Sequence, residues 1–279
     1  MPSVFLHDRS LLRITGPDAE PFLQNLVTTD LGGLAADEAR PGALLTPQGK
    51  ILFDFMIWRD GVGFVLETET SQTEALVKRL TMYRLRAAVE IAPTDVEGVT
   101  VSWNDGAGDG YLDSRFAKAG VPLRRIPGAH GNDPAALYHE ARIAAGVPLS
   151  GTDFALQDAF PHDVLMDQNG GLSFRKGCYV GQEVVSRMQH RGTARRRLVL
   201  VSAEIDLPAT GTPILAGGKP IGDLGSVAGK HGLAIVRIDR AGAAMAEASP
   251  ILADETALVL TLPAWSGLSF PATADEATA

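Results

Sequence analysis

Three apolar runs crowd between residues 42 and 68: "GALLT" (42–46), "ILFDFMIW" (51–58) and "VGFVLET" (62–68). They are parted only by Pro47-Gln48-Gly49 and Asp60-Gly61. Connections this short cannot carry a crossover helix, so strands joined by them must pair antiparallel. Upstream, "PDAEPFLQNLVTTD" sets Phe22, Leu23, Leu26 and Val27 on one face at helical spacing and stops at Gly32-Gly33. Downstream, "SQTEALVKRLTMYRL" has Ser71 as N-cap and Glu74 three residues on, which predicts a capping box. "AAVEIA" (87–92) and "GVTVSW" (98–103) then read as a further strand pair. Hairpins joined to covering helices, rather than strict strand–helix alternation, predict an α+β fold with mostly antiparallel sheets.

Residues 104–134 are rich in Gly, Pro and Asp and read as loops around one short helix, with "GAGDG" (106–110) among them. They are also where the first region could split into two subdomains. In "DPAALYHEARIAAG", Asp133 is the expected N-cap, Pro134 the first helical residue and Gly146 the terminator. Past residue 196 the texture changes to short strands between glycines, as in "RLVLVSA", "GTPILAGGKPIGDLGSVAG", "HGLAIVRID" and "TALVLTLP". That spacing predicts a small β-barrel over 197–263, after a first region over 1–196. Residues 264–279, ending in "SGLSFPATADEATA", carry too little apolar surface to offset their ordering entropy and are expected to be disordered.

The charge is uneven. The chain has 25 Lys/Arg against 33 Asp/Glu, a net −8, which argues against a general nucleic-acid binder. Yet "RKGCYVGQEVVSRMQHRGTARRR" (175–197) holds seven Lys/Arg against one acid, Glu183, and contains the only cysteine, Cys178. One cysteine excludes an intramolecular disulfide. No apolar run approaches the roughly 20 residues of a membrane span, and the N-terminal "MPSVFLHDRSLLRITG" lacks a secretory pattern. These features predict a cytoplasmic monomer without membrane or nucleic-acid partners.

A lone cysteine is most often a small buried hydrophobe. Here "GQEVVSRMQH" reads as a helix starting near Gly181, with Val184, Val185 and Met188 inward. A thiol just before a helix start, beside Arg175 and Lys176, has its thiolate favoured. Arg187 and Arg191 share a helical face at i, i+4, and Arg195–Arg197 follow. Two readings stay open for these cations: salt bridges to an acidic surface of the fold, or a grip on carboxylates of a ligand or partner. His139, His162 and His190 stand at no ligand spacing, so no metal site is expected.

The segment K-G-C-Y-V-G-Q-E (176–183) resembles the signature of the YgfZ family, folate-binding iron–sulfur cluster assembly factors related to the glycine cleavage T-protein (aminomethyltransferase). The likeness extends over "RITGPDAEPFLQNLVTTDL", "LLTPQGKILFDF", "ARIAAGVPLSG" and "GKPIGDLGSVAGKHGLAIVRIDR". It implies a T-protein-like first region with a tetrahydrofolate pocket, a C-terminal β-barrel, and assistance to the assembly or repair of [4Fe–4S] proteins. Cys178 is then the functional thiol, and the motif residues around it, Lys176, Tyr179, Gln182 and Glu183, are expected to bind the cofactor. One cysteine cannot hold a cluster that takes four thiolates, so any cluster at Cys178 would be transient and shared. For folate, the resemblance points to Tyr138 and Arg9 as stacking faces and to Asp54 as a carboxylate contact, while Arg187 and Arg191 could hold the glutamate tail. Two departures stand out. Phe53 replaces the first acid of the T-protein-like pair that Asp54 completes, and Ala144 stands where the pterin glutamate would be. They weigh against the alternative, a folate-dependent aminomethyl or one-carbon transferase with Asp54 catalytic. Folate and iron–sulfur assembly or client proteins are the partners so implied.

Overall fold

The computed structural model describes residues 2–61, 63–103 and 108–271. The first region runs β1 (Ser3–Thr15), α1 (Ala19–Gln24), β2 (Glu38–Leu45), β3 (Ile51–Asp60), β4 (Gly63–Glu69), α2 (Thr73–Arg84), β5 (Glu90–Ser102), β6 (Tyr111–Asp113), α3 (Ser114–Lys118), β7 (Arg124–Pro127) and α4 (Ala135–Ala145). Its strands close into a barrel in the order β1-β4-β3-β2-β6-β7-β5. Every pairing is antiparallel except β2 with β6. The short turns of 42–68 form β2, β3 and β4 as neighbours, as their spacing requires. Phe22, Leu23, Leu76 and Leu80 of α1 and α2 pack on Phe53, Phe55, Ile57, Phe64 and Leu66, so the two helices seal one side of the barrel.

The second part holds α5 (Met166–Asn169), α6 (Gln182–His190), β8 (Arg196–Ser202), β9 (Pro213–Ala216), β10 (Lys219–Ala228), β11 (His231–Arg237), α7 (Ile238–Ala246), β12 (Ile251–Ala253), β13 (Thr256–Ala257) and β14 (Val259–Thr261). Its seven strands form an antiparallel sheet ordered β13-β12-β9-β10-β11-β8-β14. Leu198, Leu233 and Ile235 of this sheet share a core with Ile51, Ile143 and Tyr179, which joins it to the first region.

Several local expectations are corrected. "AAVEIA" and "GVTVSW" are not a hairpin but lie in or beside the one long strand β5, both halves of which pair with β1. Gly98, at φ 63°, is a bulge where a Cβ would lie 2.6 Å from the Leu6 carbonyl oxygen. β1 itself was not expected, because His7-Asp8-Arg9 interrupts its apolar pattern where the register shifts. The loops of 104–134 supply β6, α3 and β7 to the same barrel, so no split falls there; residues 104–107, including part of "GAGDG", lie outside the described residues. The capping box does not form: Ser71 Oγ donates to Glu69 Oε1 at 2.9 Å, and a 3-10 turn precedes α2. Asp133 does not cap α4 either, because its Oδ2 accepts from the Ser3 amide at 2.7 Å. Gly146 does end the helix, at φ 68°.

The disordered tail is corrected over 264–271. Trp265 Nε1 donates to the Ala145 carbonyl at 3.0 Å, Ser266 is buried, Leu268 packs on the core shared with the first region, and Phe270 packs on the core of the second sheet. Three scattered apolar side chains suffice because preformed sites on α4 and the sheet receive them, a gain that composition does not register. Residues 272–279 lie outside the described residues.

Candidate functional site

Helix α4 separates two spaces of opposite character, and the thiol segment forms a third feature. On the barrel side of α4, charged residues from distant strands meet. Arg125 on β7 bonds Glu67 on β4, donates from Nε to Asp113 Oδ2 at 2.8 Å, and donates from Nη2 to the Tyr138 hydroxyl at 3.1 Å. Arg115 holds the same Asp113 carboxylate through both oxygens, at 3.1 and 2.8 Å. Burial alone would raise the Asp113 pKa, but the two guanidiniums bring it down to about 2. Alternation in β4 explains Glu67, since it shares parity with Val65, which points inside the barrel, while Phe64 and Leu66 face the helices. A charged residue on an inward strand phase was the sequence signal for this network, and it was missed.

Arg9 and Asp54 line the same cavity with Glu67, Arg115, Arg125 and Tyr138. Among the described residues, eight buried side-chain polar atoms lack a hydrogen-bond partner; Arg9 Nε, Asp54 Oδ1 and Glu67 Oε2 are three of them, and all converge here. Burial raises the Asp54 pKa, outweighing the Ser150 hydroxyl and the charges of Arg9 and Arg115. The space is small, however: about 20 Å³, with an adjoining pocket of about 30 Å³ that shares Asp54 and Arg115. That is the scale of a water molecule, well short of the roughly 300–1,000 Å³ of small-molecule sites. Arg9, Asp54 and Tyr138, expected to contact folate, thus line one cavity, and that cavity is smaller than a pteridine. Tyr138 is buried, with its ring 6.0 Å from that of Phe116 and its hydroxyl accepting from Arg125. Phe53 belongs to the core under α1 and α2, so no second acid stands at that position beside Asp54.

On its other side α4 borders a groove of about 420 Å³. Glu140, Ile143 and Ala144 form one wall, and Leu200 and Val201 of β8 with His231 and Gly232 of β11 form the other. Ala144 thus faces the groove rather than the Asp54 cavity, and Glu140, one helical turn earlier, lines the same groove. Helical spacing carries the difference: Tyr138 and Arg142 share the barrel-side face, Glu140 and Ala144 the opposite one.

The thiol segment is pinned at many points. Lys176 Nζ donates to the Val27 and Thr29 carbonyls at 2.6 and 3.0 Å, and burial lowers its pKa to about 8. The Tyr179 hydroxyl donates to the Ser173 carbonyl at 3.2 Å, and burial raises its pKa. Gln182 Oε1 accepts from the Tyr179 amide at 3.3 Å. Lys176, Tyr179 and Gln182 are therefore internal anchors of the loop. Between them Cys178 is exposed, which corrects the buried-hydrophobe alternative. α6 follows from Gly181 with Val185 buried and Val184 and Met188 half-buried.

The cations after the thiol divide. Arg187 pairs with Glu183 at 2.7 Å on the exposed face of α6. Arg196 reaches Asp158 at 3.5 Å, and Arg197, buried, bonds Asp167 at 2.8 Å and the His162 carbonyl at 2.8 Å. Arg196 and Arg197 thus pair with acids elsewhere in the fold, whereas the partner of Arg187 stands on its own helix. Arg191, also exposed, follows directly on α6.

The barrel, its helices and the second sheet define an aminomethyltransferase-like fold. The crystal structure of glycine cleavage system aminomethyltransferase T from Bartonella henselae superimposes with a TM-score of 0.64, covering 94% of this chain and 85% of that chain at 16% identity. Residues 195–268 match the family described as CAF17, C-terminal beta-barrel domain. At the sequence level, the iron–sulfur cluster assembly factor IBA57, mitochondrial, of Homo sapiens is 32% identical over 83% of this chain and 76% of its own length. The Mus musculus protein of the same name is 30% identical over 83% and 76%, and the Pyricularia oryzae homologue 31% identical over 70% of this chain and 55% of its own length. The chain belongs to the IBA57 family, a YgfZ-like family of proteins named as iron–sulfur cluster assembly factors. These relatives are named as mitochondrial, which overturns the cytoplasmic expectation. A lone unpaired thiol reports a reducing environment, not an address.

Proposed function

We propose that this protein assists the assembly of iron–sulfur proteins by presenting Cys178 to a partner. The observation that carries this reading is the contrast within one segment: Lys176 and Tyr179 are anchored inward while the thiol between them is exposed. A single thiolate supplies one of the four ligands a [4Fe–4S] cluster takes, so the cluster is cargo, shared with thiols of an assembly or client protein. Arg191 and the Glu183–Arg187 pair border this contact as its polar rim. A strain lacking the protein and complemented with Cys178→Ala should lose iron–sulfur enzyme activity as the empty strain does. Full activity with Cys178→Ala would reject the thiol role.

We further propose that reduced folate binds in the groove between α4 and the second sheet. A pteridine needs flat apolar walls and a carboxylate for its N–H edge, and the groove offers Ile143, Leu200 and Val201 with Glu140. Its volume of about 420 Å³ supports this placement over the Asp54 cavity. Because β8 and β11 form one wall, binding requires both parts of the chain. Calorimetry with tetrahydrofolate should give about tenfold weaker binding for Glu140→Gln and none for Ala144→Leu, with Asp54→Asn unchanged. Loss with Asp54→Asn alone would move the site to the central cavity. The transferase alternative is not favoured, since Phe53 is packed in the core and leaves Asp54 without the paired acid.

A further inference from the structure

His162 is fully buried and touches both flanks of the thiol segment. Its ring lies 6.0 Å from that of Phe174, four residues before Cys178, and its Nε2–H donates to Gln189 Oε1 at 3.2 Å, near the end of α6. Its carbonyl accepts from Arg197 Nη1 at 2.8 Å, fixing the backbone to β8. Nδ1 is buried with no partner. This is the arrangement of a neutral imidazole protonated on Nε2, because a second proton on Nδ1 would find no acceptor.

We propose that His162 is a positioning residue for the thiol segment, its neutral ring joining Phe174 to Gln189 so that Cys178 is held at a fixed place, and that protonation of the ring releases the segment. The inference rests on the reading of Cys178 as a working thiol only for its consequence; the pin itself is independent of that reading. The charged groups facing the ring are Asp167, which favours the imidazolium, and Arg197, which opposes it and is itself bonded to Asp167. Burial outweighs both and lowers the imidazole pKa. A histidine whose folded pKa lies below its free value of about 6.5 holds the closed form fully above that value and progressively less as pH falls through the lowered one. Asp163, next in the chain, acts in the opposite sense: burial raises its pKa to about 6, so its contribution is present at low pH and fades as pH rises through that value.

Amide hydrogen exchange over 174–190, corrected for the intrinsic rate at each pH, tests the proposal on the full chain. Between pH 7.5 and 5.0 the wild-type segment should open about tenfold more, and alkylation of Cys178, normalised to the unfolded protein at each pH, should change in parallel. His162→Gln, uncharged at both values, should flatten this dependence, and Asp163→Asn should keep or steepen it. An unchanged pH dependence in His162→Gln, or none in the wild type, would overturn the pin. If His162→Gln does not fold, Gln189→Leu carries the test: it should raise exchange already at pH 7.5, and wild-type exchange would overturn the proposal. A segment that responds as expected in a protein whose Cys178→Ala variant is fully active would sink the thiol function and leave the pin standing.

Discussion

The ion pairs behind α4 and the pair along α6 use the same residue types and differ in their access to water. Arg125 is 2% exposed, and its partners Glu67 and Asp113 are 1% and 0% exposed. Arg187 and Glu183 are 56% and 85% exposed. In the first place four charges from β4, β6, α3 and β7 are matched and locked inside the closed barrel. In the second the charges face water and are screened. Charge that builds the fold is thus kept apart from charge that can face a partner.

The strongest way to break this comparison is Arg125→Met. It leaves Glu67 unpaired in the barrel and takes one guanidinium from Asp113, so denaturant unfolding should show a loss of about 3–5 kcal/mol. A loss under about 1 kcal/mol would mean that the network is solvated and the contrast false. Labelling of Cys178 in the folded variant should match the wild type, since the thiol lies outside the network.

Acid titration sharpens the same point. The Asp113 pKa is about 2 in the fold against an ordinary aspartate value of 3.8, so its contribution is present above 3.8 and is lost as pH falls toward 2. The loss should amount to about 2 kcal/mol, and Asp113→Asn should be less stable at pH 7 yet lack that decline. Equal acid sensitivity in both proteins would assign it to other carboxylates. A smaller effect is expected for Trp265→Phe, which keeps most of the packing but removes the donor to Ala145. Its cost should be about 1 kcal/mol in thermal unfolding, and no cost would return 264–271 to the dispensable tail first expected. Smallest of all, Arg187→Ala should change stability by no more than about 0.5 kcal/mol, with the difference erased by salt.

Much of the site was legible only in part. The K-G-C-Y-V-G-Q-E segment marked Cys178, and the thiol is exposed. The same likeness grouped Lys176, Tyr179 and Gln182 as binding residues, whereas their hydrogen bonds close on Val27, Thr29, Ser173 and each other. A motif specifies which residues occur together, not whether their polar groups face outward. Tyr138 and Ala144, which the resemblance sets at one ligand, lie on opposite faces of α4 and line different cavities.

What the sequence by itself determined is local. Pro-Gln-Gly and Asp-Gly fixed β2, β3 and β4 as antiparallel neighbours, because a chain that turns within a few residues has no other partner in reach. Gly146 ended α4, because only a residue without a Cβ enters φ 68° at little cost. Tertiary structure decided the rest. The meeting of Glu67 with Arg125, 58 residues apart, needs the barrel to close first, since only exclusion of water makes that pair necessary. The same holds for Trp265 on Ala145, 120 residues away. Spacing along the chain records neither contact; which polar groups are buried together depends on closure of the barrel and docking of the second sheet.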